Sequence, residues 1–245
     1  MAARRRRPGP RPRPLRPRHN GGRGGHRPPG GPRRRHPPPA QHPWSARRGG
    51  LPAAVPRAAP DGNRLTFGYC ARYEIDHKGV DLLIDGFAAY RRTGGHGVLE
   101  LAGSGPARAE LERRAQAHGL GTDIRIHGPV FGPEKAAMMA GWHYFALTSR
   151  YDVMPTGCLE AALSGLPLIV TRETGLVPYV DGHRAGFGIP DLTPGAVADA
   201  LAQAERAGPG IWRDMAANAH RMVVAIGDWG RIAARLRAAG YGRPS

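Results

Sequence analysis

Residues 148–175 read TSRYDVMPTGCLEAALSGLPLIVTRETG, and the predicted fold is built outward from them. An apolar run, Tyr144–Leu147, ends directly before it, as a buried parallel strand ends at the carboxyl edge of its sheet. Pro155 opens a helical pattern that Gly165 stops, and a second apolar run, residues 166–170, follows at once. The stretch therefore predicts a strand, a helix and a strand, with polar residues gathered at the edge where open α/β sheets bind ligands.

Two carboxylates in this stretch, Asp152 and Glu160, are separated by seven residues. Asp152 falls in the predicted loop and Glu160 inside the predicted helix. At a helical rise of 1.5 Å per residue, they stand on the order of 8 Å apart along the helix axis. That span suits the hydroxyl-bearing ends of one elongated ligand better than it suits one metal ion. Taken alone, each has a simpler interpretation, Glu160 as a helix-surface acid and Asp152 as a loop acid near Arg150.

The spacing of the two acids resembles the acid-x7-acid signature of retaining glycosyltransferases with the GT-B fold, family 4 in particular. In that family the signature lies in the C-terminal, nucleotide-sugar-binding domain, and its first acid is usually Glu, where this chain has Asp152. The resemblance covers roughly residues 65–240. It implies transfer of a sugar from a nucleoside diphosphate sugar to an unknown acceptor, with retained configuration and with no metal or other cofactor.

Strand and helix patterns alternate about five times, which predicts an α/β fold with a single doubly wound, Rossmann-like parallel sheet. The resemblance implies that this sheet is the C-terminal half of a GT-B fold. Strands are predicted over residues 65–71, 98–102, 124–127, 142–147, 166–170 and, weakly, 186–190. The later helices are predicted over residues 133–140, 194–206, 211–226 and 229–239.

Two cations, Arg72 and Lys78, lie between the first predicted strand and a helix start. Backbone N–H groups and the helix dipole favour an anion at such a place, although solvated loop charges would look the same. The wording ARYEIDHKGVDLL resembles the family's Arg-loop-Lys-Gly element. The resemblance therefore implies that Arg72 and Lys78 bind the diphosphate, that Glu160 accepts hydrogen bonds from the ribose, and that Asp152 accepts them from the sugar.

Further donor-binding positions follow from the same resemblance. Gly103 and Gly105 lie in a Gly-Ser-Gly-Pro turn, similar to a Gly-x-Gly-Pro turn of the family, where glycine lets the backbone approach a ligand. The turn that ends at Val130 corresponds to the place where the family holds the nucleobase through backbone groups. The remaining positions implied to present backbone or hydroxyl groups to the donor are Thr156, Gly157 and Gly175.

The amino-terminal segment has a different composition from the rest. Residues 1–64 hold 17 Arg, one Asp and 15 of the 25 Pro, whereas the remainder holds 19 basic and 18 acidic residues. Because large aliphatic residues occur there only singly, at Leu15, Leu51 and Val55, no apolar face offsets the entropy of ordering the segment. We predict that residues 1–62 are a disordered tail and that residues 63–245 form one nucleotide-sugar-binding domain.

Three interpretations of the tail stay open. Its arginine runs, residues 4–7 and 33–35, could bind nucleic acid or an anionic surface. The tail could be a linker or a targeting segment. Translation of GC-rich DNA that is not selected as coding sequence would also yield mostly Arg, Pro, Gly and Ala. In that case the start site is misassigned and the tail carries no function.

Location and metal content can also be predicted. No apolar h-region follows the arginines and no run of about 18 apolar residues occurs, so we predict a cytoplasmic protein without a secretory signal or a membrane span. Cys70 and Cys158 are predicted to be small buried residues in a reducing compartment. No Cys or His spacing indicates a metal site.

The chain offers no second sheet for the N-terminal, acceptor-binding domain of the family. Because the family's proposed catalytic groups lie in that domain, the sequence identifies no catalytic base. We expect a truncated enzyme that is inactive alone. The alternatives are a non-catalytic nucleotide-sugar-binding module and one subunit of a two-chain glycosyltransferase whose acceptor domain is a separate chain. A nucleotide-sugar epimerase of the same fold is disfavoured by the Arg-loop-Lys element.

Overall fold

The computed structural model describes residues 58–60 and 64–227. The strands are β1 Thr66–Cys70, β2 Val98–Ala102, β3 Ile124–Ile126, β4 Tyr144–Leu147, β5 Leu168–Thr171 and β6 Gly186–Ile189. The helices are α1 Ile75–Lys78, α2 Val80–Arg92, α3 Arg108–Ala117, α4 Gly132–Ala140, α5 Thr156–Leu163, α6 Val177–His183, α7 Pro194–Arg206 and α8 Gly208–Ile226. The predictions for the tail, apart from residues 58–60, and for a helix over residues 229–239 lie outside the described residues.

The six strands form one parallel sheet in the order β3-β2-β1-β4-β5-β6. The chain steps outward from β1 to β3, then returns to the centre and steps outward in the other direction from β4. This is the doubly wound order of dinucleotide-binding folds, with its switch point between β1 and β4. The predicted α/β class and the single Rossmann-like sheet are therefore confirmed.

Helices cover both faces of this sheet because neighbouring strand residues point to opposite sides. Phe67 and Tyr144 are register partners on β1 and β4, and Phe67 packs against the rings of Phe87 and Tyr90 from α2. The hydroxyl of Tyr144 donates to a carbonyl of α7 on that side. The next pair along the same strands is Gly68 and Phe145, and the ring of Phe145 faces α5. Burying each of these aromatic side chains contributes about 1.5–3 kcal/mol.

Element boundaries differ from the sequence predictions where local hydrogen bonds end or extend an element. Leu166 donates to the carbonyl of Ala161 and so closes helix α5, which moves the start of β5 to Leu168. Helix α8 begins at Gly208, three residues before the predicted start. The short helix α1 was not predicted. None of the helices within residues 64–227 is long and apolar enough to span a membrane.

Candidate functional site

The carboxyl ends of β1 and β4 lie side by side at the switch point of the sheet. We call the space there the switch-point crevice, formed by residues 71–79 after β1 and residues 148–155 after β4, together with helix α5 and the start of α4. Adjacent loops diverge at this point because one leads to β2 and the other to β5. A doubly wound sheet binds ligands in such a crevice.

The first acid of the crevice, Asp152, is paired with Lys78. The Lys78 ammonium donates to Oδ2 of Asp152 at 2.5 Å, and both side chains are largely buried. The backbone of Asp152 is tied to the loop after β5, since its carbonyl accepts from Gly175 N–H at 3.0 Å and its N–H donates to Glu173. A carboxylate and a predicted phosphate-binding cation therefore lie in contact.

Lys78 is held at this place by the end of β4. Thr148 donates its hydroxyl to the Gly79 carbonyl at 2.7 Å, and the Arg150 N–H donates to the His77 carbonyl at 2.9 Å. Gly79 has a left-handed φ of 58°, and a Cβ there would overlap the carbonyl of Thr148. Residues 77–79 are thus fixed against β4 by backbone contacts, and the position of Lys78 follows.

Arg150, although it is close to Asp152 in the sequence, pairs with Asp81. Its guanidinium binds both oxygens of Asp81 at 2.8 Å and also donates to the carbonyl of Ile75 at 2.6 Å. Burial pushes the pKa of Asp81 upward, but the hydrogen bond and charge of Arg150 outweigh it, so the pKa lies below its usual value. Hydrogen bonding to Asp81 in turn raises the pKa of Arg150. This pair fastens the start of α2 to the β4 loop.

The second acid, Glu160, is paired with Lys135 from the first turn of α4. Its side chain is only 19% exposed, so Glu160 is not the surface acid that one interpretation allowed. Burial raises the pKa of the Cys70 thiol, and the charges of Lys135 and Glu160 both act on that thiol, in opposite directions. The Lys135–Glu160 pair therefore lies beside the end of β1. Cys70 itself is half-buried, not buried as predicted, whereas Cys158 is fully buried.

Arg72 is in a different state from Lys78. Its side chain is 69% exposed and its guanidinium lies 2.7 Å from Oε2 of Glu74. Its carbonyl accepts a hydrogen bond from the Tyr69 hydroxyl at 2.7 Å. The two predicted diphosphate cations thus flank the loop after β1, Arg72 exposed beside Glu74 and Lys78 largely buried against Asp152.

Gly103 and Gly105 have a packing explanation in addition to the predicted ligand contact. A Cβ on Gly103 would overlap the carbonyl of Ala71, and one on Gly105 would overlap the carbonyl of Tyr73. The Tyr73 N–H donates to the Ser104 carbonyl at 2.9 Å, which joins the two turns. Close approach of backbone to backbone already requires glycine here, and their contact with a donor stays a prediction.

The other predicted positions surround α5 and the turn after β3. Thr156 is exposed at the start of α5, and Gly157 lets that helix pass the end of β1, since a Cβ there would lie 3.0 Å from the Cys70 carbonyl. The N–H of Gly175 already donates to Asp152. Val130 is buried, so its side chain belongs to the core and only its backbone can meet a ligand.

Lys135 is the residue of this site that the sequence analysis missed. It lies in the first turn of the helix that follows β3, and therefore at the same edge of the sheet as Lys78. A lysine at the start of a helix that follows a predicted strand could have been recognised from the sequence as a candidate site residue. Among residues 58–60 and 64–227, no three His, Cys, Asp or Glu side chains converge as a metal site requires.

Large apolar side chains are exposed along the same edge. Phe131, which follows β3, is 74% exposed, and Tyr151 and Val153 after β4 are 68% and 66% exposed. Met154 and Tyr179, in the β4 loop and helix α6, are also exposed. Exposed apolar groups gathered beside a polar crevice are typical of an interaction surface.

Comparison with known proteins agrees with this architecture. A sequence model of the family described as "Glycosyl transferases group 1" matches residues 64–206. The alpha-D-kanosaminyltransferase of Streptomyces kanamyceticus is 28% identical over 124 residues, which are 51% of this chain and 32% of that protein. The chain spans about a third of the length of the curated relatives that it matches.

Solved structures share the fold. The C-terminal domain of LpcC, a glycosyl transferase group 1 family protein from Francisella tularensis, superposes with a TM-score of 0.57 at 17% identity, over 66% of this chain and 85% of that one. HepE of Anabaena, solved in complex with UDP, gives a TM-score of 0.59 at 21% identity, over 72% of this chain and 49% of that one. The predicted likeness to the C-terminal half of such enzymes is therefore confirmed for the fold.

Proposed function

Because the chain belongs to the group 1 glycosyl transferases, we propose that its switch-point crevice binds a nucleoside diphosphate sugar for transfer to an acceptor. The observation that carries this proposal is the pairing of each signature acid with a lysine at one crevice, Asp152 with Lys78 and Glu160 with Lys135. Acids accept hydrogen bonds from sugar hydroxyls and cations bind phosphates. A nucleotide sugar presents both kinds of group along one molecule.

We propose for these residues the roles that the resemblance implies. Glu160 accepts hydrogen bonds from the ribose hydroxyls, and Asp152 from hydroxyls of the transferred sugar. Arg72 and Lys78 bind the diphosphate, assisted by the N-terminus of α5, whose orphan N–H groups favour an anion. When the glycosidic bond to the diphosphate breaks, negative charge grows on that leaving group, and cations aimed at it lower the barrier.

The finer chemistry is also part of the proposal. The seven-residue spacing from Asp152 to Glu160 resembles family 4, which supports transfer with retained configuration and without a metal ion. The free thiols of Cys70 and Cys158 support a cytoplasmic location, since thiols persist in a reducing compartment. We propose that an acceptor-binding domain, on the same or a separate polypeptide, covers the exposed apolar residues beside the crevice.

Binding calorimetry on single variants tests the division of roles. Glu160→Ala should weaken UDP or GDP and the matching nucleotide sugar alike, because both carry the ribose. Asp152→Ala should weaken only the nucleotide sugar. A lost hydrogen bond to a charged group corresponds to roughly a tenfold loss of affinity or more. Chelation of divalent ions should leave each value unchanged.

Glu112→Ala is the matched control, since Glu112 is also an acid paired with a basic residue, on helix α3. It should bind every ligand as wild type does. Equal losses for nucleotide and nucleotide sugar at both Asp152 and Glu160 would contradict the division of roles. Failure of the wild type to bind any nucleoside diphosphate would contradict the proposed function itself.

A further inference from the structure

The ion pair between Lys135 and Glu160 joins two helices that come from different sides of the crevice. Glu160 lies within α5, which follows β4, and Lys135 lies at the start of α4, which follows β3. Both side chains are largely buried, at 22% and 19% exposure. A pair of this kind keeps its geometry better than an exposed pair, because solvent screens it less.

Within residues 64–227, few other side chains of helix α4 are buried. Of its nine residues only Met139 is buried, and Ala136, Ala137 and Ala140 are exposed. Apolar burial therefore ties α4 to the sheet at one point near its end. At the start of α4, the contact with α5 that the structure describes is the ion pair between Lys135 and Glu160.

The chemistry of the pair leaves room for a ligand. The contact uses Oε2 of Glu160, whereas a carboxylate has about four lone-pair sites on two oxygens. Hydroxyl groups can therefore bind Glu160 while Lys135 stays bound to it. A free glutamate side chain loses rotamer entropy when it orders around a ligand, and a carboxylate that is already oriented avoids much of that loss.

We propose that Lys135 is a positioning residue for the donor: it holds the Glu160 carboxylate in the orientation that accepts the ribose hydroxyls, and it keeps this contact when the nucleotide binds. The inference rests on the proposed function, because it needs Glu160 to bind ribose. It adds a residue that acts through Glu160 and makes ribose recognition depend on the placement of α4.

Two other roles for Lys135 make different predictions. If Lys135 bound the diphosphate directly, its loss would weaken all nucleotides that carry the diphosphate, whatever their sugar. If Lys135 merely blocked the empty site, its loss would tighten nucleotide binding. A positioning role alone predicts a loss that depends on the ribose hydroxyls.

The experiment compares UDP with 2′-deoxy-UDP, or GDP with 2′-deoxy-GDP if the protein prefers guanine, by calorimetry on the full chain. Wild type should bind the ribonucleotide roughly tenfold more tightly than the deoxynucleotide. Lys135→Met keeps the aliphatic chain and removes the charge, and should bring the two affinities within about threefold of each other. Lys135→Ala, which suits a helix, should do the same and replaces the Met variant if that one fails to fold.

Controls separate positioning from folding. Lys135→Arg keeps a cation at the site and should retain the preference for the ribonucleotide. Glu134→Gln changes the exposed neighbouring charge on α4 and should match wild type.

Each other outcome overturns the inference. An equal loss for both nucleotides assigns Lys135 to the phosphate or to the fold. If the variants bind the nucleotides more tightly than wild type, Lys135 competes with the ligand for Glu160. If their preference for the ribonucleotide is unchanged, Lys135 does not position Glu160. If the wild type binds no nucleoside diphosphate, the proposed function is wrong as well. If the wild type binds the ribonucleotide and the deoxynucleotide equally, the role proposed for Glu160 is wrong. These two results are read from the wild type alone.

Discussion

At Asp152 and Glu160, the charge of each carboxylate is balanced by an ammonium group from another segment of the chain. Such pairs reduce the cost of keeping a charge in a partly buried place, since each partner compensates for water that the other has lost. Arg72 differs because its charge stands in solvent beside Glu74. Its contribution to ligand binding should therefore depend more strongly on salt.

Arg72→Ala should weaken binding of UDP and GDP roughly tenfold or more, because the variant loses a charge-assisted hydrogen bond to the diphosphate. The loss should shrink as salt concentration rises. Arg113→Ala is the matched control: Arg113 is 67% exposed against 69% for Arg72, and it also pairs with a glutamate. Calorimetry at low and high salt measures both, and wild-type affinity in the Arg72 variant would remove Arg72 from the site.

At the scale of elements, the crevice is shaped by loops that are tied to strand ends. Arg150 joins the β4 loop to the starts of α1 and α2 through Asp81 and Ile75, and residues 77–79 follow β4 by backbone contacts. On the other side, Gly103 and Gly105 press the β2 turn against the loop after β1. The positions of the crevice side chains thus depend on contacts within the protein itself, which are present without a ligand.

Arg150→Met should lower the free energy of unfolding by about 1–3 kcal/mol at pH 7, since it leaves the Asp81 carboxylate without its partner. The pKa of Asp81 is lowered in the folded wild type, so this stabilisation is complete above the ordinary value near 3.9 and is lost as pH falls through the folded pKa. In the variant, burial still raises the pKa of Asp81, and the Leu82 N–H and the charge of Arg114 still lower it, so its pKa should lie above that of wild type. The difference between wild type and variant should therefore shrink between about pH 5 and pH 3.

Urea unfolding at pH 7, 5 and 3.5 measures this change. Arg113→Met removes one partner of an exposed ion pair on α3 and should cost less than about 1 kcal/mol at each pH. A difference for Arg150→Met that stays constant with pH would assign the stabilisation to the bond with the Ile75 carbonyl and to packing, not to the charge pair.

Gly103→Ala should destabilise the protein by about 1–3 kcal/mol, because the new methyl group meets the fixed carbonyl of Ala71. Gly121→Ala is the control, since a Cβ at Gly121 meets nothing within 4 Å. Thermal and urea unfolding compare the two variants with wild type. Equal stability of the Gly103 variant would show that the β2 turn can move away from β1, and would leave ligand approach as the reason for glycine there.

At the scale of the whole molecule, the described residues build one sheet, and large apolar side chains stand exposed along its carboxyl edge. Catalysis of group transfer requires oriented partners and a site from which water is excluded. Water at an open crevice weakens each electrostatic contact with the donor. The proposed binding of a donor and the proposed transfer of its sugar can therefore be tested separately.

We predict that the purified 245-residue chain binds a nucleotide sugar but transfers its sugar at least about 10⁵-fold more slowly than a glycosyltransferase that also orients the acceptor, since that orientation contributes roughly 7–11 kcal/mol. Labelled nucleotide sugars and a broad acceptor set, with and without cell extract, measure transfer. The control is the Glu160→Ala variant, which should lose binding as well. Rapid transfer by the purified chain alone would contradict the prediction.

The elements and the edge that carries the site were predictable because their signals are local. Apolar runs such as Tyr144–Leu147 mark buried strands, and Pro155 and Gly165 mark the start and stop of a helix. The parallel sheet follows from the alternation of these elements, whereas the order of its strands was given by the structure. Asp152, Glu160 and Lys78 were placed at the carboxyl edge for the same reason, as each follows a strand.

The six strands, the longer helices and the signature acids at the carboxyl edge could be read from the sequence, because each depends on neighbours within a few positions. The short helix α1 and the pairing of the charges, including the role of Lys135, came from the tertiary structure. Lys78 pairs with Asp152 across 74 residues, Lys135 pairs with Glu160 across 25, and Arg150 pairs with Asp81 across 69. A charge in a loop has many partners of suitable sign along the chain. The choice among them is made by the backbone contacts that bring distant loops together at the switch point, and those contacts exist only once the sheet has formed.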